Sequence, residues 1–573
     1  MTSSVLSAVL RVLTLALILI ASNVWATDFP NGWRGDTSGV WSDSKPPTEW
    51  DGSSGKNIRW KIELPSRSVA SPVFGRDRVL VLSEPDRVQC YALADGKLLW
   101  EDRLSAIDVV ADEAERPAWR EKFAEAWLLL VHENPYTVGG LIQCGRISDQ
   151  IKRMRCESLF GELKKVQLGP PQGWAECGYT VATPVATEDR VIVRHCSNVI
   201  CCYDWNGKRL WLARPNPGND PRRYGGSGSL MEYSPLQIVD DMVICNWIPT
   251  WGEMGLKRGD TVTYLNDNKP ASVPAEKAFD NKGGGPRGYT REALVAFDLA
   301  TGKERWRSDW LRSGGAMSYA FVPMTVDGER LIVTGGGEVV QAKDGKVVLR
   351  DLGWGGYANC PVVAQDPATG KDNLLVWCEG QHWYAPRDGQ WVYVYRITRK
   401  GEEFVAEKLW EWGRGLGIPG ASHPRSPVVA DGKIFTCGYK FGHIFDLTTG
   451  NVLYGAANAA ITESGRKGFP GFNSIVSTSD YLNPLIAGQY LYLPKGDGSV
   501  QVAKTELDAN GQPKLIHLNL LTRAATKVNP FSSEERQNYY SIATPNIWNN
   551  CLYIRTCRWL WCIGETPKEG MTK

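Results

Sequence analysis

The side chains able to do chemistry are scattered along this 573-residue sequence rather than gathered into a motif. Six histidines (His132, His195, His382, His423, His443 and His517) show no pair at metal-ligand spacing, and no Cys-x-x-Cys-His for haem occurs. Cys551, Cys557 and Cys562 match no zinc pattern. Gly415-Leu416-Gly417-Ile418-Pro419-Gly420 spells the dinucleotide fingerprint, yet it follows Trp410-Glu411-Trp412, contains Pro419 and has no helix behind it, so it reads as a turn. Ser227, within Gly225-Gly226-Ser227-Gly228-Ser229, lacks the final glycine and the strand-to-helix setting of a nucleophile elbow. The 63 carboxylates offer no distinguishing environment for an acid and base pair. Cys201 and Cys202 are adjacent within the strand-like run from Val199 to Asp204, where successive residues point to opposite sides of a sheet, so they read as packing residues.

Composition narrows the field further. With 65 Lys+Arg against 63 Asp+Glu, a net charge of +2 leaves no footprint for neutralising a phosphate backbone, which argues against a nucleic-acid partner. The 59 Gly, 33 Pro and 24 Trp predict a turn-rich β protein with few helices. Residues 1–26 read as a cleaved export signal: Arg11, an apolar run from Val12 to Ile20, then Val24-Trp25-Ala26 at the cut. No later stretch approaches a transmembrane helix and no cysteine follows the cut for a lipid anchor, so the expectation is an exported, soluble, periplasmic or secreted protein. The 14 Cys permit disulfides, but Cys90, Cys201, Cys245, Cys378, Cys437, Cys551 and Cys562 lie in apolar strand-like runs and read as small core hydrophobes.

The elements that must position any site come from a repeat. Ala70-Ser71-Pro72-Val73 opens a unit with strands at Arg78 to Leu82 and Val88 to Leu93, a turn at Asp95-Gly96, and a close at Leu98-Leu99-Trp100. The same grammar opens at Thr183-Pro184, Ser234-Pro235, Val322-Pro323, Cys360-Pro361, Ser426-Pro427, Asn483-Pro484 and Thr544-Pro545, which makes eight units. Each reads as four short strands separated by Asp-Gly, Asn-Gly or Thr-Gly turns, so each is one blade of an eight-bladed, all-β propeller. Trp60, Trp100, Trp211, Trp306 and Trp410 hold the closing position, where a large ring can be buried between sheets. Tyr454 substitutes in the sixth unit, while the fourth and seventh have no aromatic there, which predicts weaker or different packing at those seams. The last unit ends without an outer strand, and the run from Ile58 to Ile62 is available to supply it, closing the ring.

At Ala92 to Trp100, Ala296 to Trp306 and Phe445 to Gly450 the chain resembles the pyrroloquinoline-quinone-like (PQQ-like) β-propeller repeat family, and Phe29-Pro30-Asn31-Gly32-Trp33-Arg34-Gly35 is similar to the lead-in of exported bacterial members. The resemblance implies an eight-bladed propeller. It also raises quinone-dependent dehydrogenases, in which the cofactor lies between a Trp and a disulfide of adjacent cysteines near calcium. The adjacent pair Cys201-Cys202 falls in a third strand rather than over the axis, so no cofactor is expected, PQQ with calcium being the alternative. The family includes an outer-membrane assembly scaffold of this shape.

The expected layout is a signal at 1–26, a lead-in at 27–56, a propeller at 57–564 and a tail at 565–573. Within the propeller, a helical insertion occupies about 102–182 and a mobile loop about 247–290. The long connections at 101–182, 212–233, 456–482 and 519–543 join the outer strand of one blade to the inner strand of the next, and 247–290 joins second and third strands. In an up-and-down blade those connections emerge at one end, which is the expected working face. In the first insertion, Trp119, Phe123, Trp127 and Leu130 recur at helical spacing, as do Ile151, Met154, Leu159, Leu163 and Val166 after the candidate cap Ser148. Among the tryptophans left after the blade closers and Trp25, Trp247, Trp251 and Trp354 fall on connections of that face and form the candidate binding surface. The resulting expectation is a monomeric, non-enzymatic propeller that offers this face to another periplasmic or envelope protein. The alternatives are a quinone-dependent alcohol or sugar dehydrogenase and a carbohydrate-binding propeller.

Overall fold

Runs of four to six β-branched and aromatic residues bounded by turn glycines are too short to bury a core alone, so they pair into small sheets and stack face to face. A computed structural model describes residues 31–137, 143–171, 178–215, 235–247, 256–266, 269–275, 291–312, 321–350, 352, 361–379, 391–412, 426–437, 442–455, 482–521, 541 and 543–565. Eight antiparallel sheets form an eight-bladed propeller, each with four strands named A to D here from the axis outward. Blade 1 is typical: A is Val73–Phe74, B is Arg78–Ser83, C is Arg87–Ala92 and D is Leu98–Arg103. Pro72, Pro184, Pro361, Pro427, Pro484 and Pro545 stand immediately before their A strands, where a missing N–H costs the ladder nothing.

Ring closure follows the sequence. Strand β2, Ile58–Glu63, pairs antiparallel with Trp559–Ile563 and supplies the D strand of blade 8, with Trp60 opposite Cys562. One strand was not anticipated: β1, Val40–Trp41, lies parallel to Leu485–Ala487 on the axial side of blade 7, which therefore has five strands.

The closing tryptophans form the seams. Each indole N–H donates to a carbonyl of the following blade: Trp60 to Leu93 (2.8 Å), Trp100 to Trp205 (3.0 Å), Trp211 to Leu299 (3.0 Å), Trp306 to Ala342 (2.8 Å) and Trp410 to Leu447 (2.9 Å). The ring lies over that blade's C–D turn glycine. At Gly302 (φ 69°) and Gly450 (φ 72°) a Cβ would come within 2.5 Å of Trp211 and 2.6 Å of Trp410, so only glycine satisfies both the left-handed backbone and the contact. The Thr-Gly signal and the preceding tryptophan are thus two halves of one joint.

The two seams without a closing aromatic are filled by other means. Between blades 4 and 5, Trp377, Tyr393 and Phe404 of blade 5 pack with Leu352 and Val348. Between blades 7 and 8, Trp41 and Trp50 of the lead-in join Trp561 and Tyr492.

Among its described residues the first insertion holds three α-helices, α1 (Ile107–Val110), α2 (Arg116–Leu130) and α3 (Gln150–Leu163). Phe123, Trp127 and Leu130 are buried as their spacing predicts. On α3 the buried face is Cys156, Leu159, Phe160 and Leu163, while Ile151 and Met154 are exposed. The cap is Asp149 rather than Ser148: its carboxylate accepts from the N–H groups of Ile151 (2.9 Å) and Lys152 (3.0 Å). The second insertion is not a structureless loop throughout, since Thr261–Asn266 and Lys269–Pro274 pair as an antiparallel hairpin. No helix among the described residues is long and apolar enough to cross a membrane.

Candidate functional site: the two ends of the axis

Because strand direction alternates, A–B and C–D turns share one end of the propeller, and B–C and D–A connections share the other. The lead-in enters the axis from the turn end and lies against the inner strands. Asn31 exchanges backbone hydrogen bonds with Ala186 of blade 2, and its side chain both donates to the Phe74 carbonyl (2.8 Å) and accepts from the Phe74 N–H (2.9 Å) in blade 1. Asn546 of blade 8 donates to the Gly32 carbonyl (2.9 Å). Arg34 is fully buried; it donates to the Ser38 carbonyl (3.0 Å) and, further along the axis toward the loop end, to the carbonyl of Pro427 on the connection leading into strand A of blade 6 (2.7 Å). The Ile486 N–H of blade 7 then donates to Gly39 (2.8 Å). A segment of about ten residues can reach the inner edges of five blades only on the axis, given ~3.3 Å per extended residue. The chain leaves across the turns, where Lys45 N–H donates to Asn550 (2.7 Å) and Tyr492 to the Pro46 carbonyl (2.9 Å), and runs on to β2.

The loop end carries the buried charge. Glu84, in the B–C turn of blade 1, accepts from the N–H groups of Tyr179 (2.8 Å) and Thr180 (2.9 Å) and from the Thr180 hydroxyl (2.8 Å). Burial holds its pKa above the usual carboxylate value, against the Arg67 charge and these donors. The Arg67 guanidinium lies over the Trp127 ring of α2 at 5.5 Å. His195, closing strand B of blade 2, has Nδ1 2.7 Å from the Ser197 hydroxyl and Nε2 3.0 Å from the Pro85 carbonyl, and stacks on Tyr179 with an interplanar angle of 4°. Burial pulls its pKa down to about 4, so it is neutral at pH 7. Asp108 of α1 accepts from Arg120 and Arg209, both at 2.7 Å, and Asp86 from Arg103 at 2.7 Å. Burial raises the Asp86 pKa to about 6, partly offset by Arg103.

These groups are occupied with one another: they lock the helical pair onto blades 1 and 2. The same end ties blades together through buried arginines. Arg194 of blade 2 donates to Asn246 of blade 3 (2.7 Å), and Arg555 of blade 8 donates to the Ser66 carbonyl (3.1 Å). Among the described residues of this end, the helices expose Ile151 (81%) and Met154 (60%). Single-sequence reading missed Arg34, Glu84, Asp86, Asp108 and Arg194, because their partners are brought near only by ring closure and by the docking of the insertion.

Of the candidate surface tryptophans, Trp247 is the last residue of strand B in blade 3 rather than on the connection. It is 4% exposed, with the Arg307 guanidinium 4.4 Å over its ring. Trp251 and Trp354 lie outside the described residues, as does the expected signal at 1–26. Cys201 packs in the seam between blades 1 and 2 and Cys202 in the seam between blades 2 and 3, with burial pushing both thiols up to about 12. The pair is therefore divided between opposite faces of one sheet and does not fit a paired-cysteine cover over a quinone. Among the described residues no group of three or more His, Cys, Asp or Glu could hold a metal.

A family model described as outer membrane protein assembly factor BamB matches residues 24–126 and 290–374. No curated protein matches the chain. Similar solved structures include BamB from Moraxella catarrhalis, 12% identical over 88% of this chain and 98% of that one, with a TM-score of 0.41. Quinohemoprotein alcohol dehydrogenase from Comamonas testosteroni is 11% identical over 96% and 82%, with a TM-score of 0.45. Its counterpart from Pseudomonas putida HK5 is 11% identical over 93% and 80%, with a TM-score of 0.44. The eight four-stranded blades carry the turn-glycine and tryptophan grammar expected from the PQQ-like repeat resemblance, and the family model is similar to the chain over the two stretches it matches.

Proposed function

We propose that the chain is an exported, non-enzymatic, monomeric propeller that presents its helix- and loop-bearing end to another protein of the periplasm or envelope. The observation that carries this reading is the asymmetry of the axis. A hydrogen-bonded segment of the chain itself enters from the turn end and lines the axis, and the charged groups described at the loop end are consumed in holding a helical pair whose exposed residues include Ile151 and Met154. Exposed apolar side chains on a rigidly anchored helix suit association with a protein surface better than proton transfer. The match to the BamB family model supports the same direction.

The test is the double variant Ile151→Glu/Met154→Glu in the full chain expressed with its N-terminal residues. Both positions are exposed, so stability should change by under about 0.5 kcal/mol. In-cell cross-linking to envelope proteins should fall at least tenfold. Unchanged cross-linking would refute the assignment of the face. Saturable binding of PQQ with calcium together with dye-linked alcohol oxidation would favour the dehydrogenase reading, and polysaccharide binding lost on Trp251→Ala the carbohydrate reading.

A further inference from the structure

We propose that Cys144 and Cys156 form a disulfide that staples the connection between α2 and α3 to the buried face of α3. Their sulfurs lie 3.2 Å apart, in contact and about 1 Å beyond bonding distance. Cys156 is fully buried on α3, with its sulfur 3.8 Å from the Ala126 carbonyl of α2. Cys144 sits in the 3-10 turn Cys144–Arg146 ahead of α3 and is only partly buried, so an external reagent can reach it. Most other described cysteines differ: Cys90, Cys201, Cys202, Cys245, Cys378 and Cys437 are buried on blade strands. Cys551 and Cys562, neighbours in blade 8, are likewise both buried.

The order of reaction follows from exposure. Contact with the Cys156 sulfur holds the Cys144 pKa below the ordinary thiol value, which favours its thiolate. That thiolate attacks a low-molecular-weight disulfide or the disulfide of a dithiol oxidase, forming a mixed disulfide and releasing one donor thiol. Cys156, once deprotonated, attacks the Cys144 sulfur and expels the second donor thiol. The two cysteines lose two electrons and two protons, and the donor gains both.

The bond would replace a weak constraint with a strong one. Outside its apolar face, α3 is tied back by the ion pairs Arg155–Glu125 (2.7 Å), Lys152–Glu133 (2.8 Å) and Lys122–Glu162, whose side chains are all a third or more exposed and therefore salt-sensitive. A covalent link across a 12-residue separation is indifferent to salt. The inference concerns the helical pair that the proposed function uses, but its readout involves no partner, so either can fail alone.

The full chain, purified without reductant, is incubated with glutathione disulfide, alkylated in denaturant and digested with trypsin. The expected product is peptide 123–146 joined to peptide 156–164, about 2 Da lighter than the sum of the two thiol forms, with both linked cysteines missing from the alkylated set. The Cys156→Ser variant should lose the link and leave Cys144 alkylated or carrying glutathione. Recovery of both wild-type peptides in alkylated form, or a link joining either cysteine to a different one, would overturn the proposal.

Discussion

The two ends of this propeller are built from the same strands and use buried polar groups in opposite ways. At the turn end the lead-in enters the axis, where Asn31 bonds the backbone of inner strands and Arg34 reaches along the axis to the Pro427 carbonyl ahead of blade 6, and the result is an axis lined by the chain itself. At the loop end, Glu84 and His195 meet Thr180 and Tyr179 of the first insertion and Asp108 of that insertion meets Arg209 of blade 2, and the result is an anchored platform. The repeat keeps the C–D turns at Gly96, Gly207, Gly302, Gly345 and Gly450 uniform because each of these glycines must fit a neighbouring tryptophan, whereas its long connections are free to diverge. Structure is invested at one end and variation at the other.

The largest effect should come from removing the strand that closes the ring. Deleting residues 57–63 takes away Trp60 and exposes the edge of Trp559–Ile563, and should lower the melting temperature by on the order of 10 °C or prevent folding. A deletion without thermal effect would contradict the closure. Next, Arg34→Ala leaves the Pro427 carbonyl without this buried donor and should cost about 2–4 kcal/mol in denaturant unfolding. A cost below about 1 kcal/mol would show that the axial segment is not held as described.

The third comparison sits within the turn end. Gly302 and Gly370 share a left-handed backbone (φ 69° and 70°), but only Gly302 faces a tryptophan. Gly370→Ala should cost about 1 kcal/mol from backbone strain alone, and Gly302→Ala about 2–4 kcal/mol because Trp211 must also move. Equal costs would remove the tryptophan joint from the account.

The fourth tests the loop end. The folded pKa of His195 is depressed to about 4, so its contribution is complete above its ordinary value of 6.5 and is lost as pH falls toward 4. His443, also pulled down to about 4, acts in the same sense, while Asp86, raised to about 6, opposes both by favouring the fold as pH falls through that range. In His195→Gln the stability difference between pH 7 and pH 5 should shift by about 2 kcal/mol relative to wild type, toward greater relative stability at pH 5. An unchanged pH profile would mean that His195 is not buried as a neutral ring.

Sequence and structure agree where information is local and part where it is not. The blades were legible because each strand run is bounded by its own turn glycine, and the closure because the last unit lacks an outer strand while Ile58 to Ile62 is spare. Arg34 gave no local signal, since its partner Pro427 lies 393 residues away. Glu84 likewise meets Tyr179 only after the insertion docks. The α3 stripe misled because periodicity reports spacing, not which turn of a helix reaches the core. Its C-terminal half is buried with Leu159 and Leu163, while Ile151 and Met154 project beyond it. Trp247 looked like a loop residue because strand B of blade 3 runs to its final position at the edge of a long connection.

The functional contrast between the ends can be measured with a single photo-crosslinking side chain placed at position 154 on α3, or at position 45 beside the turns, in the full chain in cells. A discrete protein adduct from position 154, absent from position 45, is the expected result. An adduct from position 45 with none from 154 would assign the working surface to the wrong end.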